Sequence, residues 1–202
     1  MLWAFKQLGV PLRYLAIKQG DGIFHSKTMY DFVLPGLFSI ANTTLVYLLS
    51  IKMGIFADKG LIPAIIDLLN LIIAFFIAAL AAVATFERKG LDDKIKGQPA
   101  TLSIMTKSGS KKDFVLTHRQ FICYLFGYLS FVSLLFLILL HFVRLIGPDL
   151  AKIIPYVLFE FSVIKIIITQ IFFFVLWQIV ITMLLGVYFL CDRLQFLNEP
   201  DI

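Results

Sequence analysis

Polar side chains inside apolar runs are where this sequence could do chemistry, because each costs free energy in hydrocarbon unless it finds a partner. Asp67 is the acidic residue set furthest into such a run, with Asn70 three residues on. A carboxylate at a bilayer centre points to proton or cation coupling. This one lies about one turn below the outer end of its helix, where interfacial water or Lys59 can meet it. Gln170, Phe174, Gln178 and Thr182 recur every four residues and so share a helix face, with Trp177 beside them. Such a stripe lines a wet path or hydrogen-bonds a neighbouring helix. The second use is the commoner, at about 0.6–2 kcal/mol per contact. Asn42, Thr43 and Thr44 form a second polar patch with the same two readings.

Catalytic constellations are not in evidence. His141 stands alone near the end of an apolar run, three residues from Arg144, whereas a haem pair needs two ligands and a zinc site needs clustered His and carboxylate groups. His25 and His118 fall in polar sequence and read as solvated. There is no Gly-rich phosphate loop and no GxSxG. Cys123 and Cys191 have no paired spacing, so neither a structural disulfide nor thiol redox chemistry is expected. The expectation is a protein that is not an enzyme and carries no cofactor or metal.

The elements that must position these residues follow from composition. Of the 202 residues 60% are hydrophobic and 15% charged, against about 45–50% and about 25% in soluble domains. Four runs are long enough to cross a bilayer as helices, each needing about 20 apolar residues. We place them at about Phe32 to Lys52, Leu61 to Phe86, Phe121 to Val143 and Ile166 to Leu190. Pro35 and Pro63 sit in opening turns, where a proline costs no helical hydrogen bond. The short MGIFADKG connection makes the first two spans an antiparallel hairpin. Thr117 is the expected N-cap of the third span. The preceding stretch IIPYVLFEFSVIK either extends the fourth span or lies along the membrane surface, with Glu160 and Lys165 marking an interfacial helix.

Counting Lys and Arg by side sets the orientation. Four lie before the first span, eight in the central loop and one after the last, thirteen of eighteen on one side. By the positive-inside rule both termini and the central loop are cytoplasmic. The loop, residues 87–120, contains the strand-like runs TLSIMTK and DFVLTH around a polar turn, and reads as a small β-hairpin. Two strands alone are marginal in water, so the hairpin must lean on helix ends, a second copy or a partner.

The fold class is therefore an all-α membrane protein: four transmembrane helices, both termini cytoplasmic, and a small cytoplasmic β-hairpin between helices two and three. Its parts are an N-terminal segment (1–30), a first transmembrane hairpin (31–86), a basic loop (87–120), a second hairpin (121–191) and a tail (192–202). The N-terminal segment is interrupted by Lys6, Pro11 and Arg13, offers no cleavage site and is expected to be retained, in the headgroup layer or loosely packed on the first span. Ala74, Ala78 and Ala82, four apart, allow close helix packing within or between subunits.

Four spans, both ends inside and a basic loop carrying TLSIMTKSGSKKDFVLTHRQ resemble the membrane subunit of the Kiwa antiphage defence system, an architectural likeness over the whole chain. The resemblance implies a bacterial inner-membrane homo-oligomer that responds to phage and works with a cytosolic DNA-binding effector protein. It carries over no individual residue. The residues themselves are compatible with that role. The turn Lys107, Ser108, Gly109, Ser110, Lys111, Lys112 and Asp113, with Lys94 and Lys96 nearby, offers a basic dock for an acidic partner face or for anionic membrane lipid. No direct nucleic-acid binding is expected. The leading expectation is a membrane sensor or scaffold that holds a cytosolic effector. The alternative is a homo-oligomeric channel or depolarising pore with Gln170 and Gln178 on its axis, and a transporter would need Asp67 to titrate.

Overall fold

The computed structural model describes residues 2–20, 22, 25–48, 60–87, 90–95, 98–105, 110–153 and 161–193. A short helix α1 (Leu2–Leu8) leads through a 3-10 turn (Val10–Ala16) into strand β1 (Ile17–Lys18). A π turn (Met29–Val33) runs into helix α2 (Leu34–Leu48), followed by α3 (Leu61–Thr85), β2 (Thr101–Met105), β3 (Lys111–Val115), α4 (His118–Ile153) and α5 (Phe161–Tyr188), which ends in a second π turn (Phe189–Arg193). Among the described residues, four segments are long and apolar enough to cross a membrane: Met29–Leu48, Leu61–Thr85, His118–Gly147 and Ile166–Cys191. They overlap all four expected spans. The expected end of the first span, 49–52, lies outside the described residues, and residues 161–165 extend the fourth helix; Glu160 lies outside the described residues.

Two details at helix ends follow from sequence. Thr117 Oγ1 accepts from the Gln120 N–H at 3.3 Å while Gln120 Oε1 accepts from the Thr117 N–H at 3.1 Å. This reciprocal capping box starts α4 three residues earlier than the apolar run alone implied. At the start of α2, Pro35 is not in an opening turn as expected, because the π turn precedes it. Proline has no N–H to give to that turn, and the Leu34 N–H instead reaches five residues back to the Met29 carbonyl.

Helix pairing corrects the expected first hairpin. α2 packs on α5, α3 packs on α4, and α4 meets α5, while α2 and α3 make at most a marginal contact among the described residues. The order across the layer is α2, α5, α4, α3. The cause is complementarity: α3 turns Ile62, Ile66, Leu69 and Phe76 into the main core beside Leu125, Phe126 and Leu129 of α4, whereas Ser39 of α2 is matched by Gln170 of α5. Gly186 lets α5 approach α4 closely, since a Cβ there would stand 2.9 Å from Leu125 Cδ2 and 3.0 Å from Phe126 Cζ.

The expected hairpin is present as β2 and β3, but the sheet has a third strand. β1 pairs antiparallel with β2, Ile17 opposite Leu102 and Lys18 opposite Thr101, giving the order β1-β2-β3. The support that two strands lack thus comes from the N-terminal segment. That segment is not a loose leader: Tyr14 is fully buried, its ring stacked 5.0 Å from Tyr128 and 6.2 Å from Phe121. Phe189, after α5, lies 4.9 Å from the same Phe121, so the N-terminal segment, the start of α4 and the end of α5 meet at one end of the helical layer. Arg119 ties the α3 end to this junction, donating to the Val83 and Ala84 carbonyls and pairing with Asp92 at 2.7 Å. That hydrogen bond holds the Asp92 carboxyl below its usual range. His118, expected to be solvated, is buried here.

Candidate functional site at the sheet end of the helices

The main polar cluster of this junction was not among the expected sites. Lys27 and Asp31, four residues apart at the entry to the first span, are both buried and ion-paired. Tyr14 completes the cluster: its hydroxyl donates to Asp31 Oδ1 at 3.2 Å, its backbone carbonyl accepts from Lys27 Nζ at 2.8 Å, and its ring faces the same ammonium at 3.7 Å. Burial pushes the Tyr14 hydroxyl well above its usual pKa, and the Asp31 carboxylate adds to the effect, so it remains a neutral donor. Burial likewise pulls the Lys27 ammonium down, against the opposing attraction of Asp31. The cluster clamps the N-terminal segment to the first span. The Lys-x-x-x-Asp spacing was the available signal, but Lys27 reads in sequence as one more free topological charge.

Gln178 joins the clamp to α5. Its Nε2 donates to the Asp31 carbonyl at 3.2 Å, and Asp31 lies four residues before Pro35, so no N–H at position 35 exists to take that carbonyl. Eight residues back along α5, Gln170 Nε2 donates to Ser39 Oγ at 2.7 Å, eight residues forward along α2. The two contacts share one antiparallel register. Trp177 stacks on Phe38 at 4.6 Å beside them. The stripe on α5 therefore acts as interhelical glue within the chain. Thr182 and Thr43 are buried on the same two helices and their hydroxyls find no hydrogen-bond partner among the described residues. Replacing Gln170 with leucine is expected to cost about 1 kcal/mol, within the range of single interhelical polar contacts, and a denaturant titration in mixed micelles would read it.

Other expected residues lie apart from this junction. Asp67, Asn70, Ala74 and Ala78 are exposed along the outer side of α3, and Ala82 is half-buried; Lys59 lies outside the described residues. Asn42 is half-buried on α2. Of the basic turn, Lys107, Ser108 and Gly109 lie outside the described residues, as does Lys96. Ser110, Lys111, Lys112 and Asp113 are exposed, with Asp113 accepting from Ser103 across the sheet. β3 is an edge strand with every residue exposed, Phe114 included, and Lys112 Nζ lies 5.7 Å from the Phe114 ring centroid.

Compared with protein-family models, with curated proteins and with solved structures, the chain matches none. Its geometry must therefore speak through the two surfaces at this end, the open sheet edge and the cleft beside Lys27. Among the described residues, no three His, Cys, Asp or Glu side chains converge as a metal site would require.

Proposed function

We propose that this chain is an oligomeric scaffold in a bacterial inner membrane that holds a cytosolic effector on its sheet. The observation that carries this reading is β3, an edge strand whose residues are all exposed. Its backbone can accept a partner strand, and the side chains beside it set who that partner is. Lys111 and Lys112 disfavour pairing between identical copies and favour an acidic segment. Met105 and Phe114 add exposed apolar surface.

The excess of Lys and Arg around the sheet supports a cytoplasmic position for this end, although Lys27 and Arg119 are occupied by Asp31 and Asp92. Oligomerisation is expected through the outer side of α3, where exposed Asp67 and Asn70 stand on a helix whose Ala74 and Ala78 permit close approach. A second copy would remove two polar side chains from lipid. The architectural resemblance extends the proposal to antiphage defence, with a DNA-binding protein as the effector.

The test is a mild-detergent pull-down of the tagged chain from its native cells, with native mass determination. A stoichiometric soluble partner is expected, and K111E/K112E is expected to reduce its recovery by about tenfold or more while the homo-oligomer persists. A homo-oligomer without partner, or a partner retained by the charge-reversed variant, would count against the reading. The pore alternative requires Gln170 and Gln178 on an oligomer axis, and both side chains are engaged between α2 and α5.

A further inference from the structure

A cleft of about 630 Å³ opens between the N-terminal segment, the start of α2 and the end of α5. That volume falls within the range of about 300–1,000 Å³ typical of small-molecule sites. Its walls change character along one direction. Gln19, His25, Ser26 and Gln98 precede or lie outside the membrane spans, while Leu34, Phe38, Ile181 and Leu184 lie within them. Tyr30 and Tyr188 line the cleft between these halves, one residue inside the start of the first span and three residues before the end of the fourth. Tyrosine at such a level matches the boundary between hydrocarbon and headgroups.

The two halves ask for different parts of one ligand. The outer half presents hydrogen-bond donors, and among the described residues lining it none is acidic. The nearby Asp31 carboxylate is occupied by Lys27 and Tyr14. The inner half is aliphatic and aromatic, and Phe38 and Leu184 are 45% and 59% exposed, so it stays open toward the bilayer. A soluble metabolite would leave the inner half unmatched, and a hydrocarbon would leave the donors unmatched. We infer that the cleft binds one phospholipid, its phosphate beside His25 and Gln98 and part of one acyl chain along Leu34, Phe38 and Leu184. This site is independent of the sheet edge and of any effector docked there.

Native mass spectrometry of the full chain, purified in mild detergent and supplied with 1-palmitoyl-2-oleoylphosphatidylglycerol, tests the site. One lipid per chain is expected to persist under activation that strips all others. L184W, which fills the inner half, and H25E, which repels phosphate from the rim, are each expected to lower its occupancy about tenfold, a change equivalent to about 1.4 kcal/mol. L145W, at a leucine 78% exposed that is not part of the cleft, is expected to leave it unchanged. Absence of a retained lipid, or equal retention in wild type, L184W and H25E, would overturn the inference, as would equal loss in L145W. Inorganic phosphate bound as tightly as the lipid would also overturn it, because the apolar half would then contribute nothing. H25E lies at an exposed position, so it still decides the matter where L184W fails to fold.

Discussion

Lys27→Met is expected to lower the stability of the purified protein by about 3–5 kcal/mol, the cost of breaking a buried ion pair from one side. Methionine fills much of the lysine stem's space, so the loss falls on electrostatics rather than on packing. The Asp31 carboxylate would keep the Tyr14 hydroxyl as a donor but lose its counter-ion. The Tyr14 carbonyl and ring would lose the ammonium that they face. Removing both charges, Lys27→Met with Asp31→Leu, is expected to restore most of the stability, since an apolar pair of similar volume is often as stable as the ions it replaces. Titration of helix content with SDS in mixed micelles gives both numbers. Equal losses in the single and double variants would mean that the clamp works by shape and that the ion pair is incidental.

Gly186→Leu is expected to be the most damaging single change inside the membrane spans, at about 3 kcal/mol, the upper part of the usual range for overpacking. Even a Cβ at this position meets Leu125 Cδ2 at 2.9 Å. Alanine can be absorbed by rotation of the Leu125 and Phe126 side chains. Leucine cannot, because Leu125 and Phe126 are themselves fully buried. The α4–α5 seam joins the α2–α5 pair to the α3–α4 pair, so forcing it apart should also release Phe189 from Phe121. The same SDS titration checks this, with Gly36→Leu as control: a Cβ at Gly36 meets nothing within 4 Å. A loss at Gly36 as large as at Gly186 would refute the close-packing account.

The sequence could be read where one residue's neighbours along the chain decide its state. Long apolar runs give spans irrespective of what packs on them. The Thr117–Gln120 cap is four residues of local chemistry. The strands on either side of Ser110 need only β-forming residues around a polar turn. Lys27 and Tyr14 show where such reading stops. Thirteen residues separate them, and nothing in MLWAFKQLGVPLRYLAIK states that its tyrosine will lie under a lysine and against the third span. The same holds for the stripe of Gln170 and Gln178, whose period is visible but whose partners, Ser39 and the Asp31 carbonyl, are about 130 to 150 residues away.

Sequence by itself therefore determined the number of spans, their limits within a few residues, the existence of the hairpin and the excess of positive charge around it. Each depends on transfer of side chains into hydrocarbon or on hydrogen bonds closed within a few residues. Only the tertiary structure decided that α2 packs on α5 rather than on α3, that the N-terminal segment supplies the third strand, and that a lysine read as a free charge is buried. Those outcomes rest on pairing between distant surfaces. A backbone carbonyl deprived of its donor by Pro35 and a glycine gap on α5 select a partner only once the helices are side by side.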